Sequence, residues 1–170
     1  MFSIVFVRHG RKVPADGRLE HDIPLDPAEV SIAKLLRAEI ASRGIEPSVW
    51  ISSHFAHAWQ TAEALAGLGS RVVRVCALTP YSADESAHLG PLLKEIGRLA
   101  VSLTGLECIG LVGHEERLSN LANELLPAEA RITRLGYMDA VCISGETLFD
   151  LDQRKSLVLW RISGEGPSLS

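Results

Sequence analysis

The residues of this chain best suited to chemistry sit where apolar runs end. Arg8, His9 and Gly10 follow the run Phe2 to Val7, His54 and His57 follow Val49 to Ser52, and His114 follows Cys108 to Val112 and Gly113. An arginine beside a histidine sets a permanent cation next to a nucleophile: the guanidinium clamps an oxyanion, and the imidazole attacks or carries a proton. One arrangement, strand then histidine, therefore occurs three times along the chain. If those strands are neighbours in a parallel sheet, their C-terminal ends open onto one crevice, the usual ligand site of such sheets. Helices that start there aim backbone N–H groups at the same place, which suits a phosphate. Three converging imidazoles, His9, His57 and His114, also match a common zinc ligand set, and that is a separate reading of the same residues.

The elements that must position these groups are readable from periodicity and punctuation. Phe2 to Val7 is a short apolar run bounded by Gly10, the pattern of a buried strand. Residues 11–26 are rich in Pro, Gly and charge and read as a loop. Asp26 as N-cap, Pro27 at the first helical position, Glu29 completing a capping-box-like pair and Gly44 beyond the end bracket a helix. Its apolar positions Ile32, Leu35, Leu36 and Ile40 should pack on a sheet. Val49 to Ser52, Arg71 to Cys76, Cys108 to Val112, Ala140 to Ser144 and Leu157 to Ile162 read as further strands. Helices are expected over about 55–68, about 84–103 with a bend at Gly90-Pro91, and 115–126 ending at Pro127. Alternating strands and helices predict an α/β, three-layer α/β/α sandwich. Its sheet of about six strands would be mostly parallel, with the last two strands as an antiparallel edge pair.

Composition narrows the class. The chain has 170 residues, 46% hydrophobic and 22% charged, which suits one globular domain over 1–170 with about 164–170 as a loose tail. A net charge of −4 speaks against a nucleic-acid partner, so an anionic small ligand must meet local cations instead. Cys76, Cys108 and Cys142 form no CxxC pair and read as buried strand thiols, in keeping with a reducing cytoplasmic setting. The apolar N-terminal run is too short for a signal peptide or a membrane span. A soluble cytoplasmic protein without a membrane partner is the expectation, with its oligomeric state open.

Four segments in order carry a family resemblance. Val7-Arg8-His9-Gly10 resembles the signature of the histidine phosphatase superfamily, the phosphoglycerate-mutase-like fold. The stretch from His21 to Pro27 looks like that family's turn into the first helix, Ser52 to Ala62 like its second strand and helix, and Val112 to Glu115 like its second-histidine motif. The compact length and the Leu78-Thr79-Pro80 loop are most similar to the small bacterial phosphohistidine phosphatases. The resemblance implies that His9 attacks a phosphoryl group and becomes a transient phosphohistidine, which water then hydrolyses. It also implies that Arg8 and His114 bind the phosphoryl oxygens, with Gly10, His57, Arg11 and Glu115 beside them. Such a reaction calls for no metal and no cofactor. The implied substrate is a phosphohistidine protein or a small phosphorylated molecule.

Two features depart from the family pattern. Where the family's helix motif carries a second phosphate-clamping arginine, this chain has His57, and where the family has proline it has His54. An imidazole cannot form the bidentate fork of a guanidinium and is largely neutral near pH 7. Losing one such clamp costs roughly 2.7–4 kcal/mol of transition-state stabilisation. The alternative function is therefore a weakened module that binds phosphate or a phosphopeptide with little turnover. The proton donor for the leaving group is open between Asp84, Glu85 and Glu115. His57 reads either as a ligand-touching group or as a plain helix residue, and His54 as a surface or capping residue. Arg11, Lys12 and Arg18 are either a solvated loop or an anion-steering group at the mouth.

Overall fold

The computed structural model describes residues 1–79, 107–146 and 156–164. Its centre is a six-stranded sheet formed by β1 (Phe2–Arg8), β2 (Val49–Ser52), β3 (Arg71–Arg74), β4 (Cys108–Gly113), β5 (Ala140–Gly145) and β6 (Leu157–Ile162). The strand order is β3-β2-β4-β1-β5-β6. Strands β1, β4, β2 and β3 run parallel, and β5 and β6 add antiparallel pairs at one edge. Helices α1 (Pro27–Ser42) and α2 (Ala56–Leu65) cover one face and α3 (Glu115–Leu125) the other. The α/β layering, the mostly parallel sheet and the antiparallel edge pair all match expectation.

The two-residue strand period divides the core. Ile4 and Phe6 of β1, with Ile51, Ile109, Leu111, Val141 and Ile143, face Leu118, Leu121 and Leu125 of α3. Val5 and Val7, with Trp50, Val112 and Cys142, face Ala33, Leu36 and Ile40 of α1 and Ala58 and Leu65 of α2. Gly110 is demanded by this second face. A Cβ there would lie 2.1 Å from the Trp50 ring, so the indole lies flat over bare backbone.

Several local expectations are corrected. Asp26 does cap α1, its Oδ1 accepting from the Ala28 N–H at 2.9 Å. Glu29, however, does not close a capping box: its Oε1 accepts from Arg11 at 3.2 Å, and the Asp26 N–H donates to the Arg11 carbonyl. Leu35 is 72% exposed rather than packed, because the buried stripe runs through Ala33, Leu36 and Ile40. The second helix ends at Leu65, before Gly67 and Gly69, and β3 stops at Arg74 because Cys76–Leu78 turns into a short 3-10 segment. That turn leaves Cys76 exposed, whereas Cys108 and Cys142 are buried strand thiols. The helix expected over 84–103 and most of the expected tail lie outside the described residues. No described helix is long and apolar enough to cross a membrane.

The register positions the site. Arg8 pairs with Gly113, and Ser52 pairs with Val112, so β1, β4 and β2 end at one level. The next residue of each strand continues the ladder: the His9 N–H donates to the Gly113 carbonyl at 3.0 Å and the Ser53 N–H to the Val112 carbonyl at 3.1 Å. The chain leaves β1 for α1 on one face and leaves β4 for α3 on the other. The crevice between β1 and β4 is thus a topological switch point, where ligands of such sheets collect.

Candidate active site

His9, His57 and His114 meet at that crevice. Ring centroids are 4.3 Å apart for His9 and His57, 4.8 Å for His9 and His114, and 5.5 Å for His57 and His114. His9 arrives directly from β1, His57 from the first turn of α2, and His114 from the residue that starts α3. His9 and His57 are buried and His114 is half-buried. Phe55, with its centroid 4.8 Å from that of His114 and 5.7 Å from that of His57, supplies an apolar wall.

Hydrogen bonds fix the tautomers of two rings. The Nδ1 of His9 lies 2.7 Å from the Gly10 carbonyl oxygen, and the Nδ1 of His57 lies 2.9 Å from the Ile23 carbonyl oxygen. A carbonyl oxygen only accepts, so both Nδ1 atoms carry the proton and both Nε2 atoms hold a free lone pair. The Nε2 of His114 lies 3.1 Å from Ser53 Oγ, which also accepts from the Phe55 N–H at 3.3 Å. Burial lowers the pKa of all three imidazoles below the usual 6.5. For His9, which falls well below it, the neighbouring His57, His114 and Arg8 add to that effect. His57 is lowered by burial against the opposing bond to Ile23, and His114 falls to about 3 through burial, His57, Lys12 and Arg8. At neutral pH the cluster is therefore three free bases.

One permanent cation at the cluster is Arg8. Its guanidinium stacks on Tyr137, 3.9 Å from the ring centroid, and Nη1 donates to the Leu135 carbonyl at 2.9 Å. Glu115 stands 3.7 Å from the same Nη1 and 3.3 Å from Arg134 Nε, so it is shared between two guanidinium groups. Arg8 Nε is buried with no hydrogen-bond partner among the described residues, a donor left over for an acceptor. The segment beneath Arg8 is held by Asp139, whose carboxylate accepts from the Gly136 N–H at 2.8 Å, the Gly164 N–H at 3.0 Å and Arg161 at 3.2 Å. Burial alone would raise the Asp139 pKa, but those donors bring it below the ordinary value.

Gly10 is required by space rather than by backbone conformation. A Cβ there would fall 2.7 Å from Met138 Cε and 2.8 Å from both Glu29 Oε2 and Leu25 Cδ1. Its N–H donates to Thr61 Oγ1 at 3.1 Å, and that hydroxyl donates to the His57 carbonyl at 2.7 Å, which ties the turn after β1 to α2.

Of the residues singled out in the sequence, Arg8, His9, Gly10, His57, His114 and Glu115 are brought together. Arg11 is paired with Glu29, and its guanidinium lies 5.7 Å from the Tyr137 ring centroid, at the rim. Lys12 is paired with Glu20, Arg134 with Glu115, and His54 is exposed. Asp84 and Glu85 lie outside the described residues. Sequence reasoning missed Tyr137, which also approaches His9 with centroids 5.6 Å apart, and the supports Ser53, Thr61 and Asp139. Ser53 and Thr61 stand inside the Ser52 to Ala62 segment and were within reach of that reading. Tyr137 follows no strand and belongs to none of the four segments.

Residues 4–80 match the family model of the histidine phosphatase superfamily (branch 1). No curated protein sequence matches the chain. Among solved structures, the chain is similar to the protein histidine phosphatase SixA complexed with tungstate. The TM-score is 0.75 and the identity 19%, over 96% of this chain and 97% of the other. It is similar to a mycobacterial glucosyl-3-phosphoglycerate phosphatase complexed with VO3 at a TM-score of 0.64 and 18% identity, covering 94% and 98%. A phosphoserine phosphatase from Entamoeba histolytica in complex with phosphoserine aligns at a TM-score of 0.61 and 13% identity, covering 97% and 98%. At these identities the likeness is one of fold. Residues 4–80 thus carry the match to the histidine phosphatase superfamily that the four sequence segments resemble, and the remaining described strands and α3 complete the fold shared with those phosphatases.

Proposed function

We propose that this chain is a phosphohydrolase that works through a phosphohistidine on His9. The observation that carries the reading is the pairing at the end of β1. Nδ1 of His9 is held by the Gly10 carbonyl, so a neutral ring presents its Nε2 lone pair, beside a guanidinium whose buried Nε has no partner among the described residues. In the first step Nε2 attacks phosphorus in line; the P–N bond forms as the bond from phosphorus to the leaving atom breaks, and the leaving group takes a proton. Arg8 and His114 meet the phosphoryl oxygens where charge is greatest. Water then attacks the phosphohistidine, the P–N bond breaks, and inorganic phosphate leaves with His9 restored. The substrate class is a phosphohistidine protein or a small phosphomonoester, and the donor of the leaving-group proton is one of Asp84, Glu85 and Glu115. The fold shared with a tungstate complex of SixA and a VO3 complex of another phosphatase supports an oxyanion as the ligand.

A second reading has its own observation. His57 stands buried beside His9 as a neutral imidazole, where the family pattern places a guanidinium. A pocket one cation short favours binding over turnover, which makes a phosphate-binding module the alternative.

The test is trapping. Incubation with a small phosphodonor followed by rapid denaturation should leave acid-labile, alkali-stable phosphate on the parent chain and none on His9→Ala. Equal hydrolysis by His9→Ala would overturn the proposal, and tight phosphate binding without any trapped phosphate would favour the second reading.

A further inference from the structure

The feature that weakens the phosphate clamp also creates a different site. One ring nitrogen from each of His9, His57 and His114 lies within 4.8 Å of the other two. Tetrahedral zinc with Zn–N bonds of 2.0–2.1 Å sets its nitrogens about 3.4 Å apart, so the widest pair need close by at most about 1.4 Å. Metal-bound histidines characteristically donate their second ring N–H to a carbonyl or carboxylate, which fixes the ring and frees the other nitrogen. Both His9 and His57 are held in that way, by Gly10 and by Ile23.

We propose that His9, His57 and His114 form a three-histidine site for a divalent transition metal of the zinc class, with a fourth position open to water or an oxyanion. An arginine in place of His57 would remove the third ligand, so the site belongs to this chain's departure from the family pattern. Nearby cations do not forbid it. Arg8 faces Glu115 and Lys12 faces Glu20, so these two described cations near the cluster each have a carboxylate beside them. Three imidazoles with an open position are the donor set of a zinc site, whereas thiolate-preferring or all-oxygen ions find no matching donors here.

The consequence for the proposed reaction is exclusion. A metal on His9 Nε2 occupies the lone pair that would attack phosphorus, so metal and phosphohistidine cannot share the ring. That inhibitory part rests on the phosphatase reading, whereas the metal site does not.

The experiment uses chelator-treated full-length protein titrated with Zn2+ by calorimetry and with Co2+ by visible absorption. One equivalent should bind, with the intense d–d bands of four-coordinate Co2+. His57→Gln keeps a donor for the Ile23 carbonyl and should weaken binding at least a hundredfold, as should His9→Ala. His54→Ala, which changes an exposed histidine, should bind as the parent does. Failure of the parent to bind, or full binding by a correctly folded His57→Gln, would overturn the site. Phosphate trapping on the zinc-loaded parent should fall in step with occupancy, and undiminished trapping at saturation would overturn the exclusion. Because the Co2+ spectrum needs no turnover, a failed phosphatase reading leaves the metal result decisive on its own.

Discussion

Replacing His57 with arginine is the perturbation that weighs most on the functional reading. His57 is 1% exposed, its Nδ1 is fixed to Ile23, and its centroid stands 4.3 Å from that of His9. Burial keeps it neutral near pH 7.5 and its one ring proton is donated to the Ile23 carbonyl, so its Nε2 has no proton to donate to a phosphoryl oxygen. A neutral bond contributes about 0.5–1.5 kcal/mol, and bonds from a charged group about 1.5–3 kcal/mol. Donors aimed at the transition-state charge contribute about 2.7–4 kcal/mol, two to three orders of magnitude in rate. His57→Arg should therefore raise kcat/KM for an aryl phosphate by about 10² to 10³ at pH 7.5. Two costs oppose the gain: the longer side chain must enter a filled site, at about 1–3 kcal/mol of stability, and it loses the Ile23 bond. Thermal unfolding must accompany the kinetics, so that a misfolded variant is recognised as such. A folded His57→Arg with kcat/KM within threefold of the parent would refute the clamp argument. A gain that comes only from a lower KM, with kcat unchanged, would mean that the guanidinium holds substrate and transition state alike.

Two further outcomes follow from the geometry. His9, His57 and His114 all titrate below 6.5 in the folded chain, so between 6.5 and their folded values the unfolded chain holds protons that the folded one does not. Stability should then be present above pH 6.5 and fall as pH drops, by at most about 1.4 kcal/mol per imidazole between pH 7.5 and 5.5 in urea unfolding. His57→Gln should remove one share of that loss, and a pH-independent midpoint in the parent would contradict the neutral cluster. Gly10→Ala places a Cβ 2.7–2.8 Å from three side-chain atoms, and those ends must yield together. It should lower stability by about 1 kcal/mol, a drop of about 2–4 °C in Tm. Its effect on kcat should be larger than its effect on stability, because the displaced Gly10 carbonyl orients His9; an unchanged kcat would separate Gly10 from the nucleophile.

The fold was legible because its signals are local. The short apolar runs of β1 and β4 and the Asp26-Pro27 punctuation of α1 are each contained in a single short window. Where local signals misled, a partner elsewhere decided. Glu29 sits at the capping-box position, yet the Arg11 guanidinium draws it out of the box. Leu35 falls on the helical spacing, yet the sheet reaches only the stripe through Ala33, Leu36 and Ile40. Cys76 continues a β-branched run, but the chain has already turned into the Cys76–Leu78 segment.

The site divides along the same line. His9, His57 and His114 were visible because each stands at a strand end or in the turn after it, and parallel register then brings the ends together. Their state was not visible. That His9 and His57 are Nδ1–H tautomers depends on carbonyls of Gly10 and Ile23, and Ile23 is 34 positions from His57. Tyr137 under the Arg8 guanidinium depends on a loop that Asp139 ties down from three directions. The substitution at position 57 was thus readable as a lost charge. Its other face, a third neutral nitrogen beside two more, emerges only when burial and tautomer are known, and both are properties of the folded chain.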